Sequence, residues 1–207
     1  MGRCRIKRVI VFGGAFNPPT LAHKYIINHA LERFPDSEVL VVPTNDAYPK
    51  PDKAPAKERY AMLKDIFRND SDIAISDIEL RQNTIVYTVD LLAEVRKKYP
   101  NADEIYLMMG SDNLEDFTHW RCPEAILSQY RLLILNRTKD ADDIINAAPL
   151  LKKYRDRIKV IEDSMPYEFK QISATKVRNC IKTRMYDKLK EYVPKEITES
   201  VIRLYDS

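Results

Sequence analysis

The sequence predicts an α/β fold, a doubly wound parallel sheet of about six strands with a C-terminal helical cap. Three observations carry that expectation. Short apolar runs rich in Val, Ile, Leu and Met recur at 8–13, 38–43, 72–78, 104–109, 131–136 and 157–161, as strands buried on both faces do. Segments of helical period lie between them, which implies right-handed crossovers and a parallel sheet covered on both sides. After the sixth run the alternation stops and only helical patterns follow.

Taken in order, the run 8–13 ends on Gly13 and Gly14, and a polar, proline-rich turn leads to a helical segment over 21–34 that opens behind Thr20, a capping residue. The run 38–43 leads into PTNDAYPKPDKAPAK at 43–57, which reads as a mobile loop on the side of the sheet where α/β ligands bind. Helical period resumes over 55–68 and, after 72–78, over 85–98. Beyond 104–109 the helical pattern is broken across 113–128, and the run 131–136 is followed by a helix over 140–154. The last run, 157–161, completes a Rossmann-like sheet. The tail reads as helices over 174–184, 186–192 and 195–205, with Pro194 in a first helical position and Tyr192 and Val193 extended before it.

The chain of 207 residues is long enough for one domain with a substantial core. The expectation is a single domain over 1–207, in which 1–163 form the parallel core and 164–207 the helical part. Its 34 basic and 31 acidic residues leave a net charge of +3 spread along the chain, so nucleic acid is not expected as the main partner, whereas small anions are. Homo-oligomerisation stays open. Cys4, Cys122 and Cys180 lie far apart with no CxxC spacing, so reduced thiols in a cytoplasmic setting are expected, with neither a disulfide framework nor a zinc site. No apolar run approaches the ~20 residues that span a bilayer, and MGRCRIKR runs into the first strand without a signal-peptide pattern. No membrane association is expected.

Three constellations suggest chemistry. The first is Gly13, Gly14, Phe16, Asn17, Thr20 and His23 within RVIVFGGAFNPPTLAH. The chain has four glycines, at 2, 13, 14 and 110, so an adjacent pair at a strand end points to a backbone that must approach a ligand closely. Thr20 and His23 are one helical turn apart and can face the same oxygens, while the helix start offers N–H groups to an anion. The pattern is neither a P-loop nor a dinucleotide fingerprint. The bland alternative is a helix cap beside a surface histidine.

The second constellation is ISATKVR at 172–178, where Ser173 and Thr175 can cap a helix and Lys176 and Arg178 add charge. Considered alone it reads equally well as an ordinary capped helix. The third is Gly110, Ser111 and Asp112 at a strand end, where an acid commonly holds ribose hydroxyls, with Trp120, the one tryptophan, further on. Its indole could stack on a flat ring or anchor a core. The three histidines show no metal-ligand spacing and no covalent nucleophile stands out, so nucleotidyl transfer suits the set better than hydrolysis or hydride transfer.

These residues resemble the HxGH nucleotidyltransferases and, among them, the nicotinate or nicotinamide mononucleotide adenylyltransferases. The resemblance runs in order through GGAFNPPTLAH, PTNDAYPK, YTVD at 87–90, GSDNLEDFTHW, ISATKVR and YVPKEI. Where many bacterial members carry a first His and a Gly, this chain has Thr20 and Ala22, a form also found in phosphopantetheine adenylyltransferases and in eukaryotic-type members of the pyridine family. Acid versus amide preference is therefore open, and phosphopantetheine adenylyl transfer or a catalytically impaired nucleotide-binding module are the competing readings.

The resemblance implies that the mononucleotide phosphate attacks the α-phosphorus of ATP and magnesium pyrophosphate leaves, with Mg2+ arriving on ATP. It implies that His23 and Thr20 contact the ATP phosphates and that Lys50 and Arg178 neutralise phosphate charge. Gly13, Gly14 and Phe16 would line the nucleotide path, Ser173 and Thr175 support the triphosphate, and Asp112 hold the ribose hydroxyls, with Gly110 also among the ATP-binding residues. Asn17, Tyr87, Thr88 and Trp120 would bind the mononucleotide.

Overall fold

The computed structural model describes residues 7–50, 52–137, 139–162 and 165–206. Cys4 and the N-terminal MGRCRI lie outside them. Six strands, β1 (Arg8–Gly14), β2 (Ser37–Pro43), β3 (Ile73–Ile75), β4 (Glu104–Gly110), β5 (Arg131–Asn136) and β6 (Ile158–Glu162), form one sheet in the order β3-β2-β1-β4-β5-β6. β1 lies parallel to β4 from Arg8 opposite Glu104 to Val11 opposite Leu107, β4 to β5 from Tyr106 opposite Arg131, and β5 to β6 from Leu132 opposite Ile158. This is the doubly wound α/β order, and it reverses between β1 and β4. Both strands at that reversal end on glycine, Gly14 and Gly110, on the side where such sheets bind ligands.

The helices are α1 (Leu21–Arg33), α2 (Ala56–Ile66), α3 (Thr88–Lys98), α4 (Ser111–Phe117), α5 (Pro123–Gln129), α6 (Ala141–Ala147), α7 (Pro149–Lys153), α8 (Tyr167–Lys170), α9 (Ala174–Lys182) and α10 (Thr198–Tyr205). The described residues group into two compact units. One comprises 7–13, 36–40 and 86–162, and the other 14–35, 41–85 and 165–206. Within the first, α3 packs against α5 and α4 against α6, over buried Leu92, Val95, Leu114, Phe117, Ile126 and Leu127. Within the second, α1 packs against α8 and α9 against α10, and the core includes Ile27, Leu63, Val177, Ile181, Ile197 and Val201.

Local chemistry explains the departures from the sequence reading. The third strand is three residues rather than the expected 72–78, because Ser76 turns the chain: its N–H donates to the Val41 carbonyl at 2.9 Å and its hydroxyl accepts from Ile78 N–H. The expected 85–98 helix starts at Thr88, behind an extended Tyr87. The break in 113–128 falls at Cys122, whose φ of 54° is left-handed, with Pro123 starting α5. Pro149 likewise divides the expected 140–154 helix, since it has no N–H for α6 to continue.

The tail contains helices, but 186–191 and 195–197 are 3-10 segments, and α8 was not foreseen between β6 and α9. Pro194 precedes its helix as an extended cap instead of occupying the first turn. Tyr192 is not extended but caps the 186–191 segment in the right-handed region, because its N–H closes onto the Leu189 carbonyl at 3.0 Å; the steric restriction of proline acts on its direct neighbour, Val193.

Candidate active site

The candidate residues fall into two sets, one in each unit. The second unit holds the turn after β1. A Cβ at Gly14 would come 3.3 Å from the Phe16 ring, which explains the glycine, and Phe16 itself is buried with a left-handed φ of 45°. Such backbone costs about 1–3 kcal/mol and persists only where the surroundings enforce it. Here they do. The Phe16 ring meets the His23 ring edge-on at 5.1 Å, and Thr44 N–H donates to the Gly14 carbonyl at 2.9 Å. Gly13 is exposed, with open space where its Cβ would stand.

Thr20 and His23 form a reciprocal cap on α1. His23 N–H donates to Thr20 Oγ1 at 3.4 Å, and Thr20 N–H donates to His23 Nδ1 at 3.0 Å, with Oγ1 and Nδ1 2.8 Å apart. A backbone N–H can only donate, so Nδ1 accepts and the neutral ring carries its hydrogen on Nε2. The cap therefore fixes both the rotamer and the tautomer of His23. It also shows why Thr serves at position 20: a β-hydroxyl at the cap is what the geometry uses.

Asn17, expected as a mononucleotide contact, has its amide engaged within the chain. Its Nδ2 donates to the Asp52 carbonyl at 2.8 Å, and its Oδ1 accepts from Ala54 N–H at 2.9 Å and from Tyr205 Oη at 2.5 Å. Burial raises the Tyr205 pKa, keeping that hydroxyl a donor. The Asn17 carbonyl accepts from Arg178 Nη1 at 2.6 Å, and Arg178 Nη2 approaches Thr175 Oγ1 at 3.3 Å. The GGAFNPPTLAH and ISATKVR constellations are thus joined through Asn17. Ser173 caps α9, accepting from Lys176 N–H at 3.2 Å.

On the loop after β2, Lys50 is exposed and makes no hydrogen bond or ion pair among the described residues. Lys53 donates to the carbonyls of Asn45, at 2.8 Å, and Tyr48, and burial followed by repulsion from Arg59 lowers its pKa. Lys57 stands exposed in the first turn of α2.

The first unit holds Gly110, Asp112, Tyr87, Thr88 and Trp120. A Cβ on Gly110 would lie 2.2 Å from Asp112 Oδ1 and 2.5 Å from Arg137 Nε. Asp112 and Arg137 form a forked pair there, at 2.8 to 3.1 Å. Trp120 is half-buried with its ring 5.5 Å from that of Phe117, and the Arg121 guanidinium lies 4.5 Å over the exposed Tyr87 ring. Thr88 opens α3 directly after Tyr87. No ring contact joins Tyr87 to Trp120 among the described residues.

Sequence reasoning missed Arg59, Asn45, Glu79, Arg121 and Arg137. Arg59 was legible in principle. It sits on the stripe Ala56, Arg59, Met62, Leu63, Ile66, a charged residue on the buried face of α2. Glu79 accepts from Asn45 N–H at 3.3 Å, and burial pushes its carboxyl up to about 7 against the pull of that N–H and of Arg59 and Lys53. Asn45 lies within PTNDAYPK without being singled out by it, and nothing in the local sequence marks Arg121 or Arg137.

Comparison with known proteins places this architecture. Residues 11–180 match the cytidylyltransferase-like family model. A protein of Aquifex aeolicus named probable nicotinate-nucleotide adenylyltransferase is 32% identical over 164 residues, 79% of this chain and 95% of that one. One of Maridesulfovibrio salexigens with the same name is 34% identical over 134 residues, 64% of this chain and 62% of its own length. In structure, nicotinic acid mononucleotide adenylyltransferase of Plasmodium falciparum, complexed with NaAD, superposes with a TM-score of 0.78 at 23% identity, covering 97% of this chain and 96% of that one. The chain is a cytidylyltransferase-like nucleotidyltransferase. Within that class it belongs to the nicotinate-nucleotide adenylyltransferase family.

Proposed function

We propose that this chain transfers the adenylyl group of ATP to nicotinate mononucleotide, giving the dinucleotide and pyrophosphate. A phosphate oxygen of the mononucleotide forms a bond to the α-phosphorus, and the bond from that phosphorus to the oxygen bridging to the β-phosphate breaks. The nucleophile is already ionised at neutral pH, so no base is required and catalysis rests on positioning and charge stabilisation. The acid is favoured over the amide by the names of the relatives. Magnesium enters as part of the ATP substrate.

The observation that carries the reading is the locked cap at Thr20 and His23. It fixes His23 in the first turn of α1 with its ring hydrogen on Nε2, a group able to donate to a phosphate oxygen. In this reading Arg178 and Lys50 supply positive charge, Gly13, Gly14 and Phe16 line the nucleotide path, and Ser173 and Thr175 support the triphosphate. Gly110 and Asp112 take the ribose, and Tyr87, Thr88 and Trp120 the pyridine. Asn17 acts by holding the turn in shape. No helix among the described residues is long and apolar enough to cross a membrane, and the free Cys122 and Cys180 suit a cytoplasmic setting. The test is incubation with MgATP and, separately, nicotinate mononucleotide, nicotinamide mononucleotide and phosphopantetheine, with pyrophosphate and adenylylated product measured. Product with nicotinate mononucleotide is expected; product with phosphopantetheine alone, or with none, overturns the reading.

A further inference from the structure

Among the described residues Arg59 is the largest fully buried side chain, at 0% exposure, and it carries a charge. Its planar fork reaches three carbonyls from separate stretches of chain: Nη1 donates to Ala15 at 2.6 Å, Nη2 to Thr44 at 2.6 Å, and Nε to Ala54 at 2.8 Å. Its nearest carboxylate, Asp46, is 3.6 Å away with a largely exposed side chain. A lone buried cation costs several kcal/mol, and an apolar side chain of the same volume would fill this space without that penalty. The three acceptors explain its presence. Each lies outside the helices and strands, Ala54 buried and Ala15 and Thr44 half-buried, so an apolar residue would leave the carbonyls without the partner they have here.

The stretches it joins are not arbitrary. Ala15 sits between Gly14 and Phe16 in the turn that delivers Thr20 and His23, while Thr44 and Ala54 bracket the loop that carries Lys50. We propose that Arg59 is the positioning residue for phosphate binding, a single rigid guanidinium that sets the glycine turn and the lysine loop relative to each other. Asn45, Lys53 and Glu79 extend the same frame. Lys53 donates to the Asn45 carbonyl, Asn45 Nδ2 donates to the carbonyls of Gln82 and Thr84 at 3.2 and 2.7 Å, and Glu79 accepts from Asn45 N–H. A lysine at 59 keeps the charge but cannot span three acceptors with fixed geometry.

This inference deepens the adenylyl-transfer reading and rests on it for its kinetic test. Arg59→Met is expected to lower kcat about a hundredfold with the KM of both substrates within about threefold, the mark of lost alignment. Arg59→Lys should recover kcat to about three- to tenfold below the parent protein. A folded Arg59→Met with unchanged kcat overturns the proposal, as does an unchanged kcat in Arg59→Lys should the methionine variant fail to fold. Hydrogen exchange on Arg59→Lys gives a readout independent of turnover. Amides in 14–17 and in 44–54 should lose protection together; loss confined to α2 overturns the proposal. If the parent protein makes no dinucleotide, the functional reading fails, and the exchange pattern still decides for or against Arg59.

Discussion

The two sets of candidate residues are built in opposite ways. In the second unit the turn from Gly14 to Thr20 is held from inside, by Arg59, Arg178, Tyr205 and the Ala54 amide, through groups that are buried or partly buried. In the first unit Asp112, Arg137, Arg121 and Tyr87 are exposed, and they meet through a forked ion pair and a cation–π contact. Buried, saturated networks rigidify, whereas exposed pairs contribute ~0–1 kcal/mol and are screened by salt. Under the proposed function the contrast has a use: a phosphoryl group in transfer needs donors already in place, while ribose and pyridine are received by side chains that exchange one partner for another.

The sharpest way to break this contrast is His23→Ala. It should lower turnover about 100- to 1,000-fold while the thermal midpoint stays close to that of the parent, and near-normal adenylyl transfer would remove the preorganised donor from the account. Next comes Trp120→Ala, for which the KM of the mononucleotide should rise about tenfold, the scale of one lost stacking partner; an unchanged KM ends the stacking role.

Glu79→Gln sharpens the buried side of the comparison. Burial holds the Glu79 carboxyl at about 7, above its ordinary 4.5. The fold thus favours the neutral acid: its contribution is fully present below about pH 4.5 and is lost as pH rises through about 7. The glutamine variant should melt with the parent near pH 4 and a few degrees above it near pH 8, read by circular dichroism. Equal midpoints at both pH values would refute that origin. The smallest effect is expected from Gly110→Ala. The atoms its methyl would meet are the ends of exposed side chains that can swing away, so the midpoint should move by only about two degrees while the KM for ATP rises about threefold through displacement of Asp112.

The sheet was legible because its strands are continuous apolar runs, and β1, β2, β4 and β5 follow the expected bounds within a residue or two. β3 was overestimated because hydrophobicity does not report the turn that Ser76 makes. The site was legible where it is local. Thr20 and His23 are three residues apart, and their cap follows from spacing alone. It was not legible where partners meet at long separation: Asp112 with Arg137 are 25 residues apart, and Arg59 with Ala15 are 44. For Asn17 the family resemblance suggested a ligand contact, and its amide is engaged by residues that no local pattern brings near it.

That engagement has a consequence for how the protein is made. Asn17 receives Arg178 from 161 positions downstream and Tyr205 from 188. Contacts so distant in sequence slow folding, because the ordering entropy falls due before the contacts return anything. The turn that begins the proposed phosphate site is therefore finished by the helices that follow the sheet. A nascent chain whose six strands have already emerged still awaits α9 and α10, and it is expected to bind nucleotide only after they dock.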